Sequence, residues 1–170
     1  YGPVTKSKYE IVRTIESLKE WIDNIRSYGY VAFDTETTSL DEMKAELVGV
    51  SLCVKPGNAC YVPIGHKEGD PKDGLFGSSK LCADQIPIDL VIELLRPILD
   101  DPSILIIGQN IKYDIKVLSK YGLEVNAIDD TMLMSYAMHG GLHRHGMDML
   151  SEKYLHHVPV SIKSLIGTGK

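Results

Sequence analysis

At 170 residues the chain suits one domain with a real core, and 44% hydrophobic content excludes wholesale disorder. A net charge of −5 gives no sign of a nucleic-acid binder, and no apolar run reaches transmembrane length. Cys53, Cys60 and Cys82 follow no CxxC spacing, and the opening "YGPVTKSKYE" lacks a signal peptide's hydrophobic stretch, so reduced thiols in a cytoplasmic protein are expected.

"YEIVRTI" (9–15) alternates loosely, as a strand at a sheet margin does. Ser17 with Glu20 forms a capping-box pattern, and Leu18, Trp21, Ile22 and Ile25 recur at helical spacing. "GYVAFDTE" (29–36) reads as a strand entered through glycine. "ELVGVSLCV" (46–54) and "ACYVPI" (59–64) flank the turn "KPGN" and read as an antiparallel hairpin. Residues 66–80, rich in Gly, Asp, Lys and Ser, read as an exposed loop. The rhythm then changes to alternation: helix 89–101, strand 103–108, helix 110–122 stopped by Gly122, a short strand, a helix capped by Asp130, and helix 147–155. Strands early and strand–helix alternation later predict a mixed sheet flanked by helices, an α/β or α+β layered domain without internal repeats.

Two acidic signals stand out. Asp34 and Glu36 are two apart in a strand, so they share a face, roughly 6–7 Å apart at the backbone. Like charges at the end of an interior strand call for a shared proton or a cation, and all-oxygen ligands favour Mg²⁺ or Mn²⁺. The alternative is that the strand ends at Phe33 and "DTETTSLDE" is a solvated turn. In "GQNIKYD" (108–114), Asn110 can cap the helix and Asp114 follows one turn later on the same face. By itself Asp114 is equally a surface acid welcomed by the helix dipole.

Together these segments resemble a family. "FDTETTSLD", "LVGVSL", "YVPIGH", "IGQNIKYDIKVLSKYG", "DDTMLMSYAM" and "RHGMDMLSEKYL" are similar, in that order and spacing, to the 3′–5′ proofreading exonuclease domain of bacterial DNA polymerase I. The similarity extends over essentially the whole chain. It implies a ribonuclease H-like α/β fold, a mixed five-stranded sheet flanked by helices, and two-metal hydrolysis of phosphodiesters at the 3′ end of single-stranded DNA. Two divalent cations, Mg²⁺ or Mn²⁺, would be held about 3.5–4 Å apart. By the resemblance Asp34, Glu36 and Asp114 are the metal ligands, and Leu40 matches the apolar residue that wedges against the terminal base. Thr37, Gln109, Asn110 and Tyr113 match positions that touch the 3′ end or its phosphates. The implied partner is a polymerase domain in the same full-length chain, with no membrane.

The family's third motif, Tyr-x-x-x-Asp, has no counterpart: Tyr113 leads to Val117, Tyr136 to Gly140 and Tyr154 to Val158. Residues 1–170 therefore read as an exonuclease domain truncated before that motif, weak or inactive as it stands. His143 and Asp148 have the spacing of the histidine-type motif, but they follow Asp114 too soon and read better as a loop residue and a helix-start acid. His156 and His157 read as surface residues. Lys112, Lys116 and Lys120 form a basic stripe, either a DNA contact or the wet face of an amphipathic helix. An RNA-trimming exonuclease of the same superfamily and a non-catalytic structural domain are the alternatives to the polymerase reading.

Overall fold

The computed structural model describes residues 7–68, 80–161 and 164. β1 (Lys8–Ile11) runs into α1 (Ile15–Tyr28), whose Leu18, Trp21, Ile22 and Ile25 are buried as the helical spacing requires. The cap differs from the expected one. Thr14 is the N-cap and accepts a hydrogen bond from the Ser17 amide at 3.2 Å, while Ser17 sits inside the helix with its hydroxyl on Glu10 at 2.7 Å. Thr14 is in extended conformation, free to turn its hydroxyl back onto the first turn, which a residue already in the helix cannot do.

β2 (Tyr30–Thr37) pairs antiparallel with β3 (Leu47–Lys55), which forms the predicted hairpin with β4 (Asn58–Pro63), so the three make a meander. The expected loop begins and ends as a two-stranded ribbon, β5 (Lys67–Glu68) against β6 (Lys80–Leu81), and the rest of it lies outside the described residues. α2 (Ile88–Leu99), β7 (Leu105–Gly108), α3 (Ile111–Ser119), β8 (Ile128–Asp130) and α4 (Thr131–His139) follow in the expected alternation. α5 (Met147–Leu150) continues as a π-helical turn through Ser151–Leu155.

The main sheet has the order β1-β4-β3-β2-β7-β8. β3 is antiparallel to β2 and β4, whereas the β1–β4, β2–β7 and β7–β8 pairs are parallel. It therefore carries six strands, one more than the family resemblance implied. They are the six marked by the residue pattern, with β1 extended along the outer edge by a hydrogen bond from Val12 N–H to Tyr61 C=O at 2.8 Å. β2 alternates as a half-covered strand should. Val31, Phe33 and Thr35 are buried, and Ala32, Asp34 and Glu36 point the other way. The buried side joins Val50, Leu52, Val62 and Ile106 with apolar residues of α1, α2 and α3 in one core. The three cysteines are free thiols. Among the described residues no helix is long and apolar enough to cross a membrane.

Candidate active site

β2, β4, β7 and β8 run the same way, so their carboxyl ends lie at one edge of the sheet. Ligands of such sheets collect at that edge. It carries Asp34, Glu36 and Thr37 at the end of β2, Gln109 and Asn110 after β7, and Asp130 at the end of β8. β2 continues as a strand through both acids to Thr37, so the alternative of a solvated turn after Phe33 does not hold.

Asp34 and Glu36 share the face opposite the core. Burial, and then the charges of Asp114 and Glu36, push the Asp34 carboxyl up to about 6. Asp114 approaches from the core side. It is only 3% exposed, and its Oδ1 accepts from the Thr35 amide at 3.0 Å and the Thr35 hydroxyl at 2.6 Å. Burial raises the Asp114 carboxyl as well, against the lowering effect of the Thr35 bonds. Thr35 is the residue between the two strand acids, so one carboxylate from α3 is fastened to the backbone that presents the other two.

Sequence reasoning passed over Thr35. Its signal was parity: the core-facing series Val31, Phe33, Thr35 puts a lone hydroxyl where it must find a partner. Among the described residues no three His, Cys, Asp or Glu side chains close tightly enough to hold a metal ion. The donor chemistry nonetheless fits a hard divalent cation. The oxygens are all carboxylate, and the charge crowded around Asp34 is what such an ion relieves. Asp34 with Glu36, and Asp34 with Asp114, are the pairs that would hold it.

The loop after β2 is tied down from α3. The Tyr113 hydroxyl meets Thr37 Oγ1 at 2.5 Å and donates to the Ser39 carbonyl. Next to this anchor Leu40 is 96% exposed, an apolar side chain held out at the rim of the site. Gln109 is engaged by the protein itself. Its Nε2 donates to His145 C=O at 2.8 Å, and its Oε1 accepts from the Thr131 hydroxyl.

Asn110 occupies the N-cap position of α3 but does not cap with its side chain. It is left-handed, with φ 59° and ψ 43°, and exposed. Asp130 does the capping instead, taking the Asn110 amide at 3.1 Å on Oδ1 and the Ile111 amide at 3.0 Å on Oδ2. The same carboxylate caps its own helix α4 through Met132 N–H at 2.8 Å and Leu133 N–H at 3.2 Å. The residue pattern marked Asp130 for α4 only. Its second role depends on β7 and β8 being neighbours.

The remaining candidates fall outside the site. Lys116 pairs with Glu42 at 2.6 Å and Lys120 donates to the Ala45 carbonyl, so two of the three striped lysines fasten α3 to the 41–45 loop. Asp148 is an exposed acid in the first turn of α5. His143 packs by ring contact with His139 and His145, and His156 and His157 are exposed.

The mixed, helix-flanked sheet, with acids at the carboxyl end of a central strand, has the ribonuclease H-like fold. Solved structures of that shape agree, and they speak to the fold alone. One is the catalytic core of RRP6 from Trypanosoma brucei, with TM-score 0.71 and 14% identity over 98% of this chain and 40% of that one. Another is Escherichia coli RNase D, with TM-score 0.63 and 18% identity over 92% and 36%. A third is Brucella melitensis NrnC with bound Mg²⁺, with TM-score 0.62 and 18% identity over 98% and 70%.

A family model described as 3′–5′ exonuclease matches residues 9–170, and the chain belongs to that family, the exonuclease of family A DNA polymerases. Curated relatives bear the name DNA polymerase I. That of Rhizobium leguminosarum is 44% identical over 99% of this chain, and that of Pseudomonas aeruginosa 37% identical over 95%. The chain spans about 17% of the length of each.

Proposed function

We propose that this chain removes nucleotides hydrolytically from the 3′ end of single-stranded DNA, as the proofreading part of a longer polymerase chain. The observation that carries this reading is the meeting of Asp34 and Asp114 across Thr35. Two acids about 80 residues apart are brought to one strand tip, where burial first and then the Asp114 charge raise the Asp34 carboxyl. Bound divalent cations, in the number two, would supply an activated water and stabilise charge on the phosphate and the leaving oxygen.

The chain's own residues do the rest. Asp34, Glu36 and Asp114 hold the charge of that centre, and Thr35 holds Asp114 in register with the strand. Tyr113, bonded to Thr37 and the Ser39 carbonyl, stiffens the loop that carries Leu40. Leu40 then meets the terminal base as an apolar wedge, and the free Asn110 side chain faces the 3′ nucleotide. Gln109 acts by shaping the wall between β7 and α4 more than by direct contact. Without a Tyr-x-x-x-Asp segment, one carboxylate and the tyrosine that aims the water are missing from these 170 residues, so their activity alone is weak.

The test is a 5′-labelled oligonucleotide incubated with Mg²⁺ and either these residues or the chain extended through a Tyr-x-x-x-Asp segment. Laddered 3′ shortening by the extended chain, lost in Asp34→Ala, is expected. Full activity from the 170 residues that His143→Ala abolishes would move the third motif to His143. Faster shortening of RNA than of DNA would replace the proofreading reading with an RNA-trimming one, which the RNase D and RRP6 likeness in fold keeps as the second candidate.

A further inference from the structure

The segment "YVPIGH" (61–66) forms the end of β4 and the turn after it, and it leads back to the acids. In the two ladders of β3, Ser51 stands opposite both Asp34 and Tyr61, and Gly49 opposite both Glu36 and Pro63. Residues directly opposed across strands share a face, so Tyr61 rises from the same surface as Asp34 and Glu36. Gly49 is what lets Tyr61 reach further. The phenol lies across it, and a Cβ at Gly49 would fall 2.0 Å from the Tyr61 hydroxyl oxygen and 2.3 Å from Cζ. Opposed Cβ positions are about 5 Å apart. A hydroxyl standing where the Gly49 Cβ would be is therefore beside the Glu36 side chain. Burial raises the Tyr61 phenol, and the Glu36 charge raises it further, in keeping with that proximity.

The other end of this phenol is also fixed. Its oxygen lies 2.7 Å from His66 Nε2, and the two rings meet edge to face with centroids 5.6 Å apart. His66 is exposed, yet its backbone is clasped at two points. Gln85 Oε1 accepts from His66 N–H at 3.0 Å, and Gln85 Nε2 donates to His66 C=O at 3.0 Å. Just before it, Ile64 N–H and Gly65 N–H both donate to the Val48 carbonyl, at 2.9 and 2.8 Å. These bonds fix the backbone that carries the ring, and the bond to Tyr61 fixes the ring itself at a cost in side-chain entropy that solvation alone would not ask for.

We propose that Tyr61, backed by His66, is a positioning residue for Glu36. In this structure the phenol is bonded to His66. When His66 Nε2–H is the donor in that pair, the phenol proton is free to turn to the Glu36 carboxylate, which faces solvent at the strand tip. A donor to an ionised acceptor makes the stronger, shorter type of hydrogen bond, so it holds one carboxylate orientation among several. The inference rests on the exonuclease reading above and adds a pair outside Asp34, Glu36 and Asp114. Loss of an outer partner of a ligating carboxylate typically costs about 10–100-fold.

The experiment uses the full-length chain that carries this segment, with a 5′-labelled oligo-dT and Mg²⁺. It measures kcat, KM and melting temperature, and oligonucleotide affinity by fluorescence anisotropy in EDTA. Tyr61→Phe is expected to lower kcat about 10–100-fold and to leave KM, affinity and melting temperature unchanged. Gly49→Ala, which evicts the ring, is expected to match that loss, with no further loss when the two are combined. His66→Gln should retain more activity than His66→Ala. If Gly49→Ala fails to fold, Tyr61→Phe decides alone. A Tyr61→Phe kcat within twofold of the parent overturns the proposal, and so does an affinity loss with unchanged kcat, which would make the pair a strand contact. Asp34→Ala separates the two levels. If it keeps full activity the exonuclease reading fails, whereas its inactivity beside a fully active Tyr61→Phe removes only the Tyr61 assignment.

Discussion

The two faces of β2 make opposite demands on the same eight residues. On one face Val31 and Phe33 are sealed under α1, α2 and α3, and even the single polar member, Thr35, is bonded to Asp114. On the other face Ala32, Asp34, Ser51, Cys53 and Ala59 floor a groove of about 730 Å³. Met134 and Met138 of α4 and Tyr154 and Leu155 beyond α5 form its far wall. The closed face supplies the free energy that holds the strand in the sheet as far as Glu36, where its register against β3 shifts. The open face presents a half-buried Asp34 and an exposed Glu36. Asp114 joins the two, since it is anchored from the closed side and its charge is felt by Asp34 on the open one.

Adjacent residues should therefore fail in opposite ways. Phe33→Ala is expected to destabilise the fold by about 3–5 kcal/mol, measured by urea unfolding. Asp34→Ala should leave stability equal or higher while activity of the extended chain falls at least ~10³-fold, about 4 kcal/mol of transition-state stabilisation. Equal loss of stability in both variants would break the contrast between the faces.

Asp130→Ala removes the caps of two helices together. At about 1 kcal/mol per cap, a loss of ~2 kcal/mol is expected, with hydrogen exchange speeding up at the first turns of both α3 and α4. Protection lost at α4 alone would show that α3 does not depend on this carboxylate.

Thr35→Val keeps the shape and removes one of the two bonds to Asp114. The expected loss is roughly 1.5–3 kcal/mol at most, the range for hydrogen bonds to charged groups, and Thr35→Ser should restore most of it. If Val is as stable as Ser, the hydroxyl contributes nothing and the amide bond alone holds Asp114.

The smallest effect sharpens the picture of the open face. Asp34 titrates near 6 in the fold, above the ordinary carboxylate value, so the folded state binds the proton more tightly than the unfolded chain. In EDTA, stability should rise as pH falls from 7 to 5.5, by under ~1 kcal/mol once solvent screening is allowed for. Calorimetric melting checks it. Asp34→Asn should flatten the rise to the part due to Asp114, and a fall in stability over this window would contradict the burial and crowding that raise these acids. At lower pH the trend reverses as Glu10 and other carboxylates held low by their hydrogen bonds take up protons.

Much of this was legible because it is periodic. Alternation in "YVAFDTE" put Asp34 and Glu36 on one face, and helical spacing picked out Leu18, Trp21, Ile22 and Ile25 as the inner stripe of α1. The strand–helix rhythm after residue 88 predicted a helix-flanked mixed sheet, and Asp130 announced the start of α4. These features depend on neighbours within a few residues, so residue order and local sterics suffice to determine them.

Tertiary structure alone decided the pairings that carry no period. Thr35 finds Asp114 across 79 residues, and Asp130 reaches the amides of Asn110 and Ile111 because β7 and β8 lie side by side. Asn110 adopts a left-handed backbone that no pattern marked, and two of the lysines that read as a possible DNA stripe became ties to a loop. Gly49 is an ordinary strand residue in the sequence, and only the register of three strands shows that its missing side chain is the seat of the Tyr61 ring. A hydrogen bond or a steric notch between distant segments exists only once packing has brought them together. The chain thus determined which residues face the site, and the folded sheet determined which of them hold one another.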